Sequence, residues 1–87
     1  MTSKEKELLK SRFQQRWSQA ICVQQRAKEG KNGWNKEGAE RFANIACVYM
    51  YAIVDVLGTS MKQSRAMDIV RGWADEVEEK LGASLEL

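Results

Sequence analysis

The feature that most constrains this chain is the apolar run in its middle, from Phe42 to Leu57. Fourteen of these sixteen residues are apolar or aromatic, and only Asn44 and Asp55 interrupt the run. The pattern predicts a helix that is apolar around most of its circumference, rather than a surface helix with one apolar stripe. A membrane-spanning helix needs about 20 apolar residues. We therefore predict a core helix, and no contact with a membrane.

The segments on either side of this run complete the prediction of an all-α fold. In 3–29 and in 60–81, apolar residues recur at spacings of three and four, which is typical of a helix with one buried face. The chain has no proline, so nothing local forbids long helices. With 87 residues it makes one domain. We predict a single three-helix bundle around an apolar middle helix, with helices at about 3–29, 36–57 and 60–81.

Capping chemistry gives the expected helix starts. Ser3 is expected to cap the first helix and Asn35 the second, since both side chains can accept a hydrogen bond from a backbone N–H of the first turn. Thr59 or Ser60 is expected to cap the third helix. Ser60 with Gln63 matches the spacing of a capping box.

The middle helix also predicts self-association. Two neighbouring helices with one apolar stripe each cover about half of it, and an 87-residue chain has little else to offer. We expect a homodimer at micromolar concentration, built on the side that carries Cys47, Met50 and Val54. Gly72, on the polar face of the third helix, is the position where another backbone can approach closely. Opposite charge at the two ends of the chain offers complementary surfaces to such a pair.

A narrower, more polar stripe runs along the same helix and has three interpretations. It faces solvent, or it forms a self-interface in which Arg41 of one chain meets Asp55 of another across an antiparallel two-fold axis, or it is a ligand or catalytic site around a buried carboxylate. The stripe consists of Arg41, Asn44, Val48, Tyr51 and Asp55.

Charge is distributed unevenly along the chain. The segment 1–36 holds nine Lys and Arg against three Glu, whereas 72–87 holds one Lys against five Asp and Glu. A basic helix flank followed by a basic loop with an aromatic suits a nucleic-acid backbone and a stacked base. A net charge of only +2 favours instead a solvated flank, or one that docks an acidic protein or a second copy. The candidate partner or nucleic-acid residues are Arg12, Arg16, Arg26, Lys28, Lys31, Trp34 and Lys36.

Trp34 is the strongest single candidate for a functional side chain. A tryptophan in a glycine-rich basic loop is unusual, and loops carry function more often than core positions do. The alternative is that Trp34 folds back as a lid over the open end of the bundle.

Several chemistries are excluded by composition. The chain has no histidine, which removes Ser-His-Asp and Cys-His catalysis and most zinc sites, and it has no phosphate-binding glycine motif. Cys22 and Cys47 are expected to be free thiols inside helices. We therefore expect no enzymatic activity, no cofactor and no metal.

The sequence thus predicts a small interaction module that binds a protein partner and itself. A regulator, an adaptor or an inhibitor of the kind carried by mobile elements fits this description, and nucleic-acid binding through the first helix and the Trp34 loop is the alternative. The charged N-terminal segment has no apolar stretch of a secretion signal, and free thiols suit a reducing compartment. We therefore expect a cytoplasmic protein.

Overall fold

The computed structural model describes residues 1–30 and 33–86, and three helices form its framework. In chain order they are α1 (Ser3–Glu29), α2 (Lys36–Leu57) and α3 (Gln63–Leu81). They pack against one another, and the predicted all-α three-helix bundle is confirmed. The molecule measures 43 × 22 × 19 Å, and its long dimension matches that of α1, whose 27 residues rise about 1.5 Å each. Within the described residues, no helix combines the length and the apolar content that crossing a membrane requires.

Thr2, and not Ser3, caps α1. The Thr2 hydroxyl accepts a hydrogen bond from the Glu5 N–H at 3.1 Å, and the Thr2 N–H donates to the Glu5 carboxylate at 3.3 Å. Hydrogen bonding to Thr2, through its side chain first and its backbone second, lowers the pKa of Glu5. The prediction for α2 is confirmed, because the Asn35 side chain accepts from the Gly38 N–H at 2.9 Å.

The predicted start of the third helix is wrong by about one turn. Helix α3 begins at Gln63, and Lys62 precedes it without a side-chain cap. The hydroxyl of Thr59 donates to the Val56 carbonyl at 2.7 Å, and that of Ser60 donates to the Leu57 carbonyl at 3.3 Å. Both hydroxyls therefore satisfy carbonyls at the end of α2, which have no partner within that helix. They act at the C-terminus of one helix and not at the N-terminus of the next.

The core lies between one face of α2 and the aromatic residues of its neighbours. Phe13 and Trp17 on α1 stack at a centroid distance of 5.4 Å, and Trp73 on α3 lies 6.3 Å from Phe13. All three side chains are buried. The N-terminal half of the α2 face that joins this core is built from small residues, which let the helices approach closely. We call this buried face the inner face of α2; it consists of Ala39, Ala43, Ala46, Met50, Ile53, Val54 and Leu57.

This arrangement corrects the predicted self-association surface. Val54 is 1% exposed and Met50 is 9% exposed, so both lie in the core, and Cys47 is only partly exposed. The side that α1 and α3 were expected to leave uncovered is therefore the side that they cover. The physical reason is polarity, since every member of this face is apolar, whereas Arg41, Asn44 and Asp55 are exposed on the other side of α2.

A C-terminal tail, residues 82–86, continues from α3 and packs back on the bundle. Leu85 is buried within the core cluster. One oxygen of the Glu78 carboxylate accepts from the Leu85 N–H at 3.1 Å and from the Trp17 indole N–H at 3.3 Å. Further along the tail, Glu86 pairs with Lys28, and its N–H donates to the Gln24 side chain at 2.9 Å. The tail therefore ties α3 to the C-terminal half of α1.

Candidate functional site

One face of α2 stays open after the bundle has formed. Its apolar members are large, since Val48 is 68% exposed, Tyr51 53% and Ile45 51%. Single exposed apolar residues are normal, but several on one helix face form a continuous patch. We call this the outer face of α2; its members recur at spacings of three and four and are Arg41, Asn44, Ile45, Val48, Tyr51, Ala52 and Asp55.

A shallow groove borders the outer face on the side of α1. Arg16 of α1 lies over the ring of Tyr49, with its guanidinium carbon 5.5 Å from the ring centroid. This contact places the stem of Arg16 along the groove and leaves its charge at the rim. The groove has a volume of about 360 Å³, and Ile45, Val48 and Ala52 form its apolar floor.

Opposite charges stand near the two ends of the outer face. Arg41 pairs with Glu37 at 3.2 Å within the same helix, and both side chains are 75% exposed. Asp55 accepts a 3.4 Å hydrogen bond from the Gln63 side chain. Exposed pairs of this kind contribute little to stability, so Arg41 and Asp55 can exchange these contacts for others.

The predicted polar stripe therefore lies on the surface of the single chain. Its members Arg41, Asn44, Val48, Tyr51 and Asp55 are all exposed. The catalytic interpretation needed a buried carboxylate, and Asp55 is not one. The structure thus leaves the interpretations in which the stripe contacts solvent or another molecule.

Several basic side chains already have partners within the chain. Lys28 is paired with Glu86, Arg16 lies over Tyr49, and Lys10 pairs with Glu76 at 3.2 Å. Some basic residues of the N-terminal half are therefore already paired with acidic residues of the C-terminal half within one molecule. Within the described residues, exposed Arg12 and Arg26 make no ion pair. The predicted site residue Lys31 lies outside the described residues.

Trp34 packs on its own chain. Its ring meets Phe42 edge to face, with centroids 5.3 Å apart and planes at 87°. A Cβ on Gly38 would lie 3.4 Å from the same indole, so the ring also covers the first turn of α2. Trp34 is partly buried in this position. These contacts are those of a lid over the beginning of α2.

A second cleft, of about 500 Å³, lies beside this end of the bundle. Lys28 and Lys36 line it together with Glu40 and Glu86, so its charges are mixed. This mixture gives the cleft no preference for an anion or a cation.

The remaining candidates contribute no site chemistry of their own. Cys22 and Cys47 are free, partly buried thiols on different helices. Gly72 is exposed, and a Cβ there would meet nothing within 4 Å. Within the part of the chain that the structure describes, no group of His, Cys, Asp or Glu side chains is arranged to hold a metal ion.

Sequence reasoning missed the apolar members of the outer face, Ile45 and Ala52, and it missed buried Leu85. A usable signal existed for α2, because alanines at spacings of three and four mark its closely packed side. For Leu85 no local pattern existed. Its burial depends on the path of the tail across α1 and α3.

Compared with known protein families, curated proteins and solved structures, the chain shows no significant match. The functional argument therefore rests on the geometry of the outer face of α2.

Proposed function

We propose that the protein is a small non-enzymatic interaction module, a regulator, adaptor or inhibitor that binds a protein partner and itself through the outer face of α2. One observation carries the proposal: Ile45, Val48 and Tyr51 are each more than half exposed on one face of a helix whose other side is held in the core. Docking of helices along such a face is a common mode of protein recognition.

Energetics support a binding role for this face. Full burial of a Val, Ile or Leu side chain contributes about 1.5–3 kcal/mol, so a half-exposed one has about 1 kcal/mol still to gain. Several such side chains on a single helix offer several kcal/mol to a partner. The helix is also fixed by its inner face, so little conformational entropy is lost when the outer face is covered.

Nucleic-acid binding is the second candidate, and exposed Arg12 and Arg26 are the observation that favours it. They lie on the same helix, and neither makes an ion pair within the described residues. The aromatic that would stack on a base packs on Phe42 instead. If nucleic acid binds, affinity falls steeply with salt, and Arg12→Ala with Arg26→Ala lowers the salt slope by about 1 for each phosphate that is no longer neutralised. Absence of any shift of DNA or RNA at low salt removes this candidate.

Site-specific photo-cross-linking tests the main proposal. A benzophenone amino acid replaces Val48 in the full chain, and the matched control carries it at Asp68, an exposed position on α3. We expect a protein adduct from position 48 in cells and none from position 68. Ile45→Asp should abolish the adduct, because a charge on this face must lose its water when a partner docks.

The mass of the adduct separates the alternatives. An adduct with a second copy or with another protein supports the interaction module. No adduct at position 48, or equal adducts at both positions, contradicts it. An adduct with nucleic acid replaces it by the second candidate.

A further inference from the structure

Building on the proposed function, the geometry points to a second copy of this chain as the partner, docked antiparallel on the outer face of α2 with a two-fold axis at Val48. Val48 has the highest exposure among the large apolar side chains that remain open in the described chain. A two-fold axis brings the same residue of both copies together, and an exposed valine on each side can bury itself against the other.

The register follows from the spacing along α2. In an antiparallel pair centred on Val48, residues equally far before and after it come to the same level. Ile45 of one copy then lies beside Tyr51 of the other, and Asn44 lies beside Ala52. The members of the outer face of α2 recur at spacings of three and four. This pattern packs two helices at a small crossing angle. The apolar side chains therefore form the centre of the contact.

Charge selects the antiparallel orientation. Arg41 and Asp55 are equally far from Val48, so each arginine meets the aspartate of the other copy, and the symmetric contact contains this pair twice. A parallel pair would bring Arg41 to Arg41 and Asp55 to Asp55. Within one chain both groups are held only by exposed contacts, to Glu37 and Gln63, which docking can replace.

The inner face of α2 cannot supply this contact. Met50 and Val54 are already packed against α1 and α3, so a second copy would reach them only by opening the core. The outer face needs no such rearrangement. Docking there leaves the bundle intact.

Sedimentation velocity of the purified full chain tests the inference. We expect the mass to rise from 9.9 kDa towards twice that value as the concentration increases through the micromolar range. Val48→Asp places two carboxylates at the axis and should raise the dissociation constant by roughly 100-fold. Circular dichroism checks that this exposed variant keeps its fold.

Charge reversal tests the register. Arg41→Glu alone and Asp55→Arg alone should each raise the dissociation constant by roughly tenfold, because each places like charges together twice. Mixing the two variants should restore association as a heterodimer, since every pair in it is again of opposite charge. Arg71→Glu, at an exposed position on α3, is the matched control and should leave association unchanged.

Each outcome decides the question. A dimer that Val48→Asp weakens and that the mixed variants rescue supports the inference. A dimer indifferent to these changes overturns it. A monomer at every concentration also overturns it, and if position 48 then cross-links to a different protein, the interaction module stands without self-docking. A chain that stays monomeric and gives no adduct specific to position 48 contradicts both the self-docking and the interaction module.

Discussion

The two faces of α2 both carry large apolar side chains, yet only one of them is buried. The inner face begins with Ala39, Ala43 and Ala46, whereas the outer face carries Ile45 and Val48 at the corresponding levels. The outer face also carries Arg41, Asn44 and Asp55, whereas every member of the inner face is apolar. Hydrophobicity therefore favours burial of the inner face, although large apolar side chains stay open on the outer one.

Side-chain size also differs between the two faces. The core combines the large rings of Phe13, Trp17 and Trp73 with small alanines of the inner face. Large side chains on both sides of the same contact would overpack it. The comparison teaches that an apolar helix in a small bundle buries the face that fits its neighbours and leaves large apolar side chains exposed on the other face.

The largest expected effect separates the two faces directly. Val54→Asp puts a carboxylate at a position that is 1% exposed, so it should lower the free energy of unfolding by more than about 4 kcal/mol and leave most of the chain unfolded. Val48→Asp, the same substitution on the outer face, should change it by less than about 0.5 kcal/mol. Urea unfolding followed by circular dichroism measures both. Equal losses from the two variants would contradict the assignment of the faces.

A smaller effect is expected at Leu85, which extends the comparison from α2 to the tail. This leucine is 8% exposed within the core cluster, so Leu85→Ala should cost about 2–3 kcal/mol of unfolding free energy. Ser84→Ala, at the exposed neighbouring position, is the control and should have almost no effect. A neutral result for Leu85→Ala in thermal unfolding would mean that the tail does not contribute to the core.

The smallest of the three effects is expected at Trp34. Its ring is partly buried against Phe42 and the first turn of α2, so Trp34→Ala should cost about 1–2 kcal/mol. Trp34→Phe keeps an aromatic contact and should recover about half of that loss. Differential scanning calorimetry gives the melting temperatures. An unchanged melting temperature for Trp34→Ala, together with a failure to bind the partner, would make Trp34 a contact residue and not a lid.

Much of the fold follows from local chemistry and was predictable. Periodicity placed all three helices, and Asn35 capped α2 as expected, because spacing and capping act within one turn of the backbone. The errors at Ser3 and Ser60 are also local. At α1 the hydroxyl of Thr2 takes the place expected for that of Ser3, and the Ser60 hydroxyl donates to a carbonyl at the end of α2 instead of capping α3.

The candidate site was only partly predictable. That two helices leave part of α2 uncovered follows from the length of its apolar run and is confirmed. The side that stays open was predicted at Met50 and Val54 and is found at Ile45, Val48 and Tyr51. The local signal for the open side was the polar stripe, because one interpretation of Arg41, Asn44 and Asp55 placed it in solvent.

Local sequence therefore specifies the helices, their lengths and the excess of apolar surface on α2, since these depend on neighbours a few residues apart. The burial of Leu85 and the packing of the three helices into one core depend on residues that are distant along the chain. Leu85 joins Phe13 and Trp73 in one core cluster only once α1 and α3 have come together. Packing of this kind is a property of the assembled core, where volumes from three helices must fill one space.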